Sequence, residues 1–371
     1  MDMEHKKIKI LQVIHGLHIG GAERVVVHLA LSLKARGHDV GVCVVNSPGI
    51  LAAQLEEAHV PVFSPRRKGS LIELGKTISR FAPEIIHSHG TSALMHLGPH
   101  YLRPQKPKFV HTFHYGNYPH IKWRYLLAES VFARRAARLI AVSDYQRETI
   151  KRSHKFADSR IVTIWNGVDR NHYLEDQTAR VAVKSEFKIS DGKTVIGAIA
   201  VLSRQKGIRN LIEAVAPIME RTPNVHFLIV GGGPLEPKLR QLAVSLGVQD
   251  HVTFTGWRSD AEKIFAAIDV FVAPSLWEAF SVVLLEAMAA RKAIVATRVG
   301  DNERLLENYE TGLIVAPERT DELADAISTL AGNGNLREKL AARAYARFMQ
   351  QFTVDVMVAK HEELYGSVLA G

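Results

Sequence analysis

The chain has 371 residues, 47% of them apolar and 23% charged, with a net charge of +9, a globular composition with length enough for two domains with substantial cores. No apolar run approaches the roughly 18 residues of a membrane span, and one cysteine, Cys43, leaves no internal disulfide and reads as a small apolar core residue of a cytoplasmic protein. The charge is uneven: 25 basic and 13 acidic residues up to Arg170 give +12, and 22 and 25 beyond it give −3, so the first half is basic and the second slightly acidic.

The N-terminus carries Lys6, Lys7 and Lys9 before a short apolar stretch. Gln12 and His15 break that stretch and no small-residue cleavage site follows, so it reads as a first strand and not a signal peptide. Residues 7–14 are expected as a strand, 22–36 as a helix ending at Gly37, and 40–45 as a second strand. This strand–loop–helix–strand unit favours a parallel sheet with right-handed crossovers. Further strands are expected at 84–88, 109–112, 138–142 and 161–164, with a helix at 145–152. The turn Trp165-Asn166-Gly167-Val168-Asp169 closes this half, and 171–191 is polar, a linker with a short helix. A second series follows: strands at 195–200, 225–230, 252–255, 270–273 and 293–296, and helices at 208–220, 235–246, 320–330, 336–352 and 354–369. The pattern is α/β, two doubly wound Rossmann-like halves in tandem, with domains at 1–170 and 171–353. Ligands of such sheets bind at the carboxyl ends of strands, so the cleft between the halves is the expected site.

The most informative stretch is Pro274-Ser275-Leu276-Trp277-Glu278-Ala279-Phe280-Ser281, running into the apolar helix 282–290. Glu278 and Glu286 flank the helix entry, and eight residues of helical rise span roughly 12 Å. Paired glycosidase carboxylates sit about 5 to 9.5 Å apart, so these two are too distant to attack one bond. They match the length of a nucleotide joined to a sugar, and the helix N-terminus between them suits a phosphate.

Other motifs have both a functional and a plain reading. The loop from Gly16 through Gly20 and Gly21 is either an anion-approach loop or a tight turn, and its spacing disfavours a dinucleotide. Gly231-Gly232-Gly233 reads as a turn or as backbone contact to a nucleotide. Arg204-Gln205-Lys206-Gly207 opens a helix and suits a diphosphate, or is a solvated basic loop. Seven histidines crowd positions 87–120. Without a second cysteine, H-E-x-x-H or a flanking carboxylate they do not read as a metal site. His87-Ser88-His89-Gly90 and His111-Thr112-Phe113-His114 follow expected strands, where neutral rings hydrogen-bond sugar hydroxyls or are satisfied structurally. Arg66-Arg67-Lys68 and the segment from Lys122-Trp123-Arg124-Tyr125 to Arg134, Arg135 and Arg138 interleave basic and apolar residues. They suit an anionic lipid surface or are solvated helix faces; no nucleic-acid motif accompanies them.

In order and spacing these motifs resemble the retaining glycosyltransferases of family four, which have the GT-B fold. Glu278-Ala279-Phe280 through Glu286-Ala287-Met288-Ala289 looks like the family's E-x7-E element. Gly20-Gly21-Ala22-Glu23-Arg24, His111 to Gly116, Val142-Ser143, Asn166-Gly167-Val168-Asp169, Lys206-Gly207, Gly231-Gly232-Gly233-Pro234, Gly300 to Glu303 and Thr311-Gly312-Leu313 support it. The resemblance implies an acceptor domain first and a sugar-nucleotide domain second, with helix 354–371 crossing back to the first. It implies a nucleoside-diphosphate sugar as donor, a UDP-sugar first among them, a glycan or lipid-linked acceptor, retention of anomeric configuration, and no metal or other cofactor.

By the same resemblance Glu286 takes the ribose, Glu278 the donor sugar, Lys206 the diphosphate and His114 the sugar. Gly20, Gly21, Arg204, Gly232 and the stretch Ala279, Phe280 and Ser281 complete the donor site. His89, His111 and Tyr115 are assigned to the acceptor, on surface polysaccharide, lipopolysaccharide or glycolipid. The chain departs from the family pattern at Ala200-Val201-Leu202, where Gly-Arg-Leu is usual; Arg204 lies three residues on. The basic first half suggests peripheral contact with an anionic membrane, in the cytoplasm at its inner face. Two other readings are a sugar-nucleotide epimerase, separable by turnover without acceptor, and a catalytically weak binding or partner subunit, which Val201 favours.

Overall fold

The computed structural model describes residues 7–18, 20–65, 70–102, 107–114, 123–173, 175–278 and 280–371. They divide into two compact units, Met1–Gly167 with Val354–Gly371, and Val168–Thr353.

The first unit is built on seven parallel strands: β1 (Lys9–Gly16), β2 (Asp39–Ser47), β3 (Val62–Phe63), β4 (Ile85–His89), β5 (Lys108–Phe113), β6 (Arg138–Ala141) and β7 (Ile161–Thr163). Their order across the sheet is β3-β2-β1-β4-β5-β6-β7. Strands covered by helices on both faces must be apolar throughout, and Ile10, Leu11, Val13, Val42 and Val44 are all fully buried. Alternation sorts the side chains. Ile10, Ile14, Ile85, Val110 and Ile140 pack with helices Gly21–Ala35 and Val354–Ala370. Leu11, Val13, Ile86, Phe113 and Leu139 pack on the opposite face with helix Gly90–Leu97. The last helix lies on this unit through buried Met357, Val358, Leu364, Tyr365 and Val368. Its Glu362 accepts from Arg36 at 2.6 Å and lies 2.8 Å from His38. Cys43 is buried, and burial pushes its thiol up to about 12, which leaves it unreactive.

The second unit repeats the plan with β8 (Thr194–Ile199), β9 (Val225–Val230), β10 (Val252–Gly256), β11 (Val270–Ala273), β12 (Ala293–Thr297) and β13 (Leu313–Val315). The order is β10-β9-β8-β11-β12-β13, again with every pair parallel. In each sheet the strand order reverses about its central pair, β1 and β4 in one and β8 and β11 in the other. Those switch points are where ligands of doubly wound sheets bind.

The expected helix 208–220 is two helices, Ile208–Glu213 and Val215–Arg221. Pro217 has no N–H to give the carbonyl of Glu213, so one continuous helix is not favoured. The unit boundary falls between Gly167 and Val168, three residues before the expected one. The edge strands β3 and β13, of two and three residues, are too short to show a periodicity.

Candidate active site

In the second unit the loops after β8 and β11 are locked together, and glycine makes this possible. Gly207 has φ +62°, and a Cβ there would lie 1.9 Å from the Pro274 carbonyl oxygen. Leu276 N donates to Gln205 O at 2.7 Å, and Gln205 Nε2 donates to Trp277 O at 3.1 Å and to Glu278 Oε2 at 3.3 Å. The Glu278 carboxylate is buried and also accepts from Ser275 Oγ at 2.9 Å and from Lys206 Nζ. The strand, the loop and the basic turn thus meet on one carboxylate.

Beside it lies a concave pocket of about 380 Å³, lined among others by Val201, Lys206, Gly231, Trp257, Phe280 and Glu286. Ser281 is the N-cap of helix Val282–Ala289 and makes no side-chain capping bond. Val282 and Val283 line the pocket, so their two N–H groups, which no intrahelical carbonyl satisfies, are placed there. An anion is the natural ligand of such a helix end. Arg258 also lines the pocket, but its guanidinium is held by Asp260 at 2.8 Å and Glu186 at 2.5 Å. Arg204, in the turn Arg204–Lys206, is exposed. Val201 is 61% exposed.

The glycine run after β9 divides by role. A Cβ on Gly231 would stand 2.0 Å from Ala200 O, and one on Gly233 2.6 Å from Leu202 O. These two let the β8 and β9 loops pack backbone to backbone. A Cβ on Gly232 would meet nothing closer than 3.8 Å, so this is the member of the run with room on its side-chain face.

In the first unit Gly20 is the extended N-cap and Gly21 the first residue of helix Gly21–Ala35, Gly21 being exposed. The alternation of β4 and β5 splits the histidines between the two faces of the sheet. On the face of the last helix, His89 Nδ1 lies 2.9 Å from His114 Nε2, and His89 Nε2 lies 2.7 Å from Gln12 Oε1. Gln12 Nε2 donates to Tyr365 Oη at 3.3 Å; Tyr365 Oη lies 2.7 Å from His87 Nδ1, and His87 Nε2 lies 2.7 Å from Thr112 Oγ1. On the other face Ser88 Oγ lies 2.8 Å from His111 Nδ1, with buried Glu129 and His154 nearby, 3.3 Å apart. Burial holds His87, His89, His111 and His114 neutral. His87 and His89 are pushed well below the usual range, first by desolvation and then by their histidine neighbours. Burial lowers His111 to about 4 and His114 to about 3.

The residues assigned to the acceptor are placed as follows. His111 is fully buried against Phe113, at 4.6 Å between ring centres, and His89 has both nitrogens engaged within the unit. Among the described residues His111 Nε2 has no hydrogen-bond partner, but it is closed off from solvent. Tyr115 and Ala279 lie outside the described residues, as do Arg66, Arg67, Lys68 and Lys122. Among the described residues no group of three or more His, Cys, Asp or Glu is arranged to hold a metal ion.

Residues 19–172 match the family model described as Glycosyltransferase Family 4, and residues 181–347 the one described as Glycosyl transferases group 1. The chain belongs to the family-four glycosyltransferases. Its fold is GT-B, as the motifs led one to expect. Among curated relatives, this family-four chain is 26% identical to the lipopolysaccharide core biosynthesis glycosyltransferase LpsE of Rhizobium meliloti, over 94% of this chain and 96% of that one. It is 29% identical to the alpha-D-kanosaminyltransferase of Streptomyces kanamyceticus, over 61% and 58%. Several further alignments span 52 to 60% of the relatives' length. Among solved structures, Anabaena Alr3699/HepE in complex with UDP and glucose superposes with a TM-score of 0.85 at 25% identity, covering 97% of this chain and 100% of that one.

The structure of this family-four chain adds residues that no motif flagged: Gln12, His361 and Tyr365. One sequence signal was available for the first, a glutamine inside the apolar run Lys9-Ile10-Leu11-Gln12-Val13-Ile14. A buried amide needs partners, and those partners lie more than 350 positions away in the case of Tyr365.

Proposed function

We propose that this protein transfers a hexose or N-acetylhexosamine from a nucleoside-diphosphate sugar, a UDP-sugar first among candidates, to a hydroxyl of a glycan or lipid-linked acceptor, with retention at the anomeric carbon. The observation that carries this reading is the placement of Glu278 and Glu286 on either side of an uncapped helix N-terminus, with Lys206 on the first carboxylate. In the proposed assignment Glu286 accepts from the ribose hydroxyls and the N–H groups of the N-cap Ser281 and of Val282 hold the diphosphate. Lys206 offsets its charge, and Glu278 supports positive charge on the sugar. His114 hydrogen-bonds the sugar, and the room around Gly232 admits the nucleotide. The bond from the anomeric carbon to the diphosphate oxygen breaks, and the acceptor oxygen bonds to that carbon on the same face. The acceptor proton passes to the departing phosphate oxygen. The pre-set cation and helix end stabilise the leaving diphosphate. The UDP and glucose bound by the Anabaena neighbour and the lipopolysaccharide role in the name of the Rhizobium relative support donor and pathway class.

The first unit carries a surface suited to a lipid-borne acceptor. On helix Trp123–Phe132, Trp123, Leu127 and Val131 are 75%, 58% and 53% exposed at successive fourth positions, and exposed Arg134 and Arg135 follow. An apolar stripe next to basic residues in a basic half-chain fits peripheral binding to an anionic membrane. We accordingly assign the protein to the cytoplasm, at the inner face of the membrane. Among the described residues no helix is long and apolar enough to cross a membrane.

The test is UDP release from a panel of UDP-sugars, with and without a lipid-linked glycan acceptor, after a thermal-shift screen of the same panel. Transfer that depends on acceptor is expected. Glu286→Ala, Lys206→Ala and His114→Ala each lose most turnover while remaining folded; full turnover in all three sinks the site assignment. Exposed Val201, in place of the usual arginine, favours one second reading, a sugar-nucleotide-binding subunit. Binding without transfer to any acceptor selects it.

A further inference from the structure

Gln12, His87, His89, Thr112, His114 and Tyr365 form one continuous string of hydrogen bonds under the last helix. We propose that Tyr365, Gln12 and His89 are positioning residues that hold His114 in the tautomer protonated at Nε2, leaving its Nδ1 unprotonated and able only to accept a hydrogen bond.

The direction of each bond follows from the Gln12 amide. Its Nε2 is on Tyr365 Oη at 3.3 Å and its Oε1 is 2.7 Å from His89 Nε2. An amide oxygen only accepts, so His89 Nε2 carries the hydrogen. A neutral imidazole has one N–H, so His89 Nδ1 accepts, and His114 Nε2 at 2.9 Å donates to it. His114 is neutral as well, which leaves Nδ1 bare. The far end is consistent. Tyr365 Oη accepts from Gln12 and donates to His87 Nδ1 at 2.7 Å, and His87 Nε2 donates to Thr112 Oγ1 at 2.7 Å. Neutrality has a geometric cause: the His87 and His89 rings are 4.0 Å apart between centres, with His361 5.6 Å from His87, so a proton on one would face close imidazole neighbours in a desolvated site. Turning the amide over would reverse every bond and move the His114 hydrogen to Nδ1. The string therefore has two states, and the orientation of Gln12 between Tyr365 and His89 selects one.

The consequence for substrate choice rests on the reading above that His114 meets the sugar. An acceptor nitrogen takes a hydroxyl hydrogen and has nothing to give a carboxylate. A donor carrying a hydroxyl at that point is accepted, and one with a carboxylate there is disfavoured, because acceptor would face acceptor.

The tautomer is read without any substrate. Long-range proton–nitrogen correlation spectra of the full chain labelled with 15N-histidine, at pH 7.5, are expected to show His114 with a pyrrole-like Nε2 and a pyridine-like Nδ1, the signals being assigned by their loss in His114→Gln. The reverse pattern in the wild-type protein overturns the proposal. Tyr365→Phe and Gln12→Met are expected to give mixed tautomers at His114, with unchanged signals for His111 on the other sheet face. Donor kcat/KM should fall about 10-fold, as for other outer-shell partners. A His114 that stays purely Nε2-protonated in both variants also overturns it. If the protein proves not to be a transferase, the spectra still decide the tautomer, so the two failures are distinguishable.

Discussion

Lys206 and Glu278 are joined directly: the Lys206 ammonium donates to a buried carboxylate that also holds Ser275 and Gln205. The two groups assigned to opposite ends of the reacting bond, leaving diphosphate and sugar, are thus already charge-compensated by each other. A ligand bringing negative charge beside Lys206 and gaining positive charge beside Glu278 as it reacts would use both partners. The pair is then an arrangement that fits a transition state better than a resting ligand.

Lys206→Ala is expected to reduce turnover by 100-fold or more, the loss typical of one stabilising donor. It also removes a partner of a buried carboxylate, which costs about 1 to 3 kcal/mol of stability. The double variant Lys206→Ala with Glu278→Gln recovers that stability, because the amide can be buried uncharged, and recovers no turnover. Calorimetry and UDP release together check this. Equal melting temperatures for the single variant and the wild type would show that the ion pair is structurally idle.

The glycine run after β9 separates into structural and ligand-facing members. Gly231→Ala places a methyl group 2.0 Å from Ala200 O at φ +123°, so loss of more than about 3 kcal/mol is expected from strain and collision together. Gly232→Ala meets nothing closer than 3.8 Å. It should fold with a near-native melting temperature and bind UDP less tightly. Denaturant unfolding with UDP titration distinguishes the two, and an unchanged UDP affinity in Gly232→Ala would place the nucleotide elsewhere.

Much of this organisation is legible in the chain. The strands are dense apolar runs punctuated by glycine, and the E-x7-E element falls on the loop and helix where the spacing places it. The losses have physical causes. Gly231 and Gly233 look like nucleotide glycines, but their need for φ or for close approach is set by Ala200 and Leu202, 31 residues earlier in each case. His111 looks equivalent to His114, but a shift of three positions on a strand turns a side chain to the opposite face. The helix Leu71–Phe81 shows a clear amphipathic period behind its Ser70 cap, whereas Gly90–Leu97, eight residues long and opening on a glycine, shows little of one. The string from Thr112 to Tyr365 cannot be read from spacing, because it joins two ends of the chain.

Val201 stands exposed on the pocket wall where family members usually carry arginine. Val201→Arg is expected to tighten UDP binding by about 10-fold, within the range of one charge-assisted hydrogen bond to phosphate. If Arg204 already fills that role, Arg204→Ala weakens UDP binding by a similar factor and Val201→Arg restores it. Titration calorimetry of the two single variants and the double variant separates these outcomes. No change in any of the three would mean that the diphosphate does not lie beside this loop.

The buried histidines make the first unit acid-labile. An unfolded histidine titrates near 6.5, whereas His111 and His361 are lowered to about 4, by burial in each case. Above pH 6.5 both states are neutral and the term vanishes. As the pH falls below 6.5 the unfolded chain takes up protons that the folded chain does not, so stability falls until the folded groups titrate near 4. At pH 5 each of these two costs on the order of 2 kcal/mol, and His87, His89 and His114 act in the same direction. In the second unit, among the described residues, only His226 is lowered in this way, to about 4. Between pH 7.5 and 5.0 the first unit is therefore expected to lose several kcal/mol more than the second. Hydrogen exchange resolved by segment should show protection of β4 and β5 collapsing while that of β8 and β9 persists. Equal loss in both sheets would mean that the histidines are accessible to protons in the folded state, and with it the neutral hydrogen-bonded string under the last helix would have to be given up.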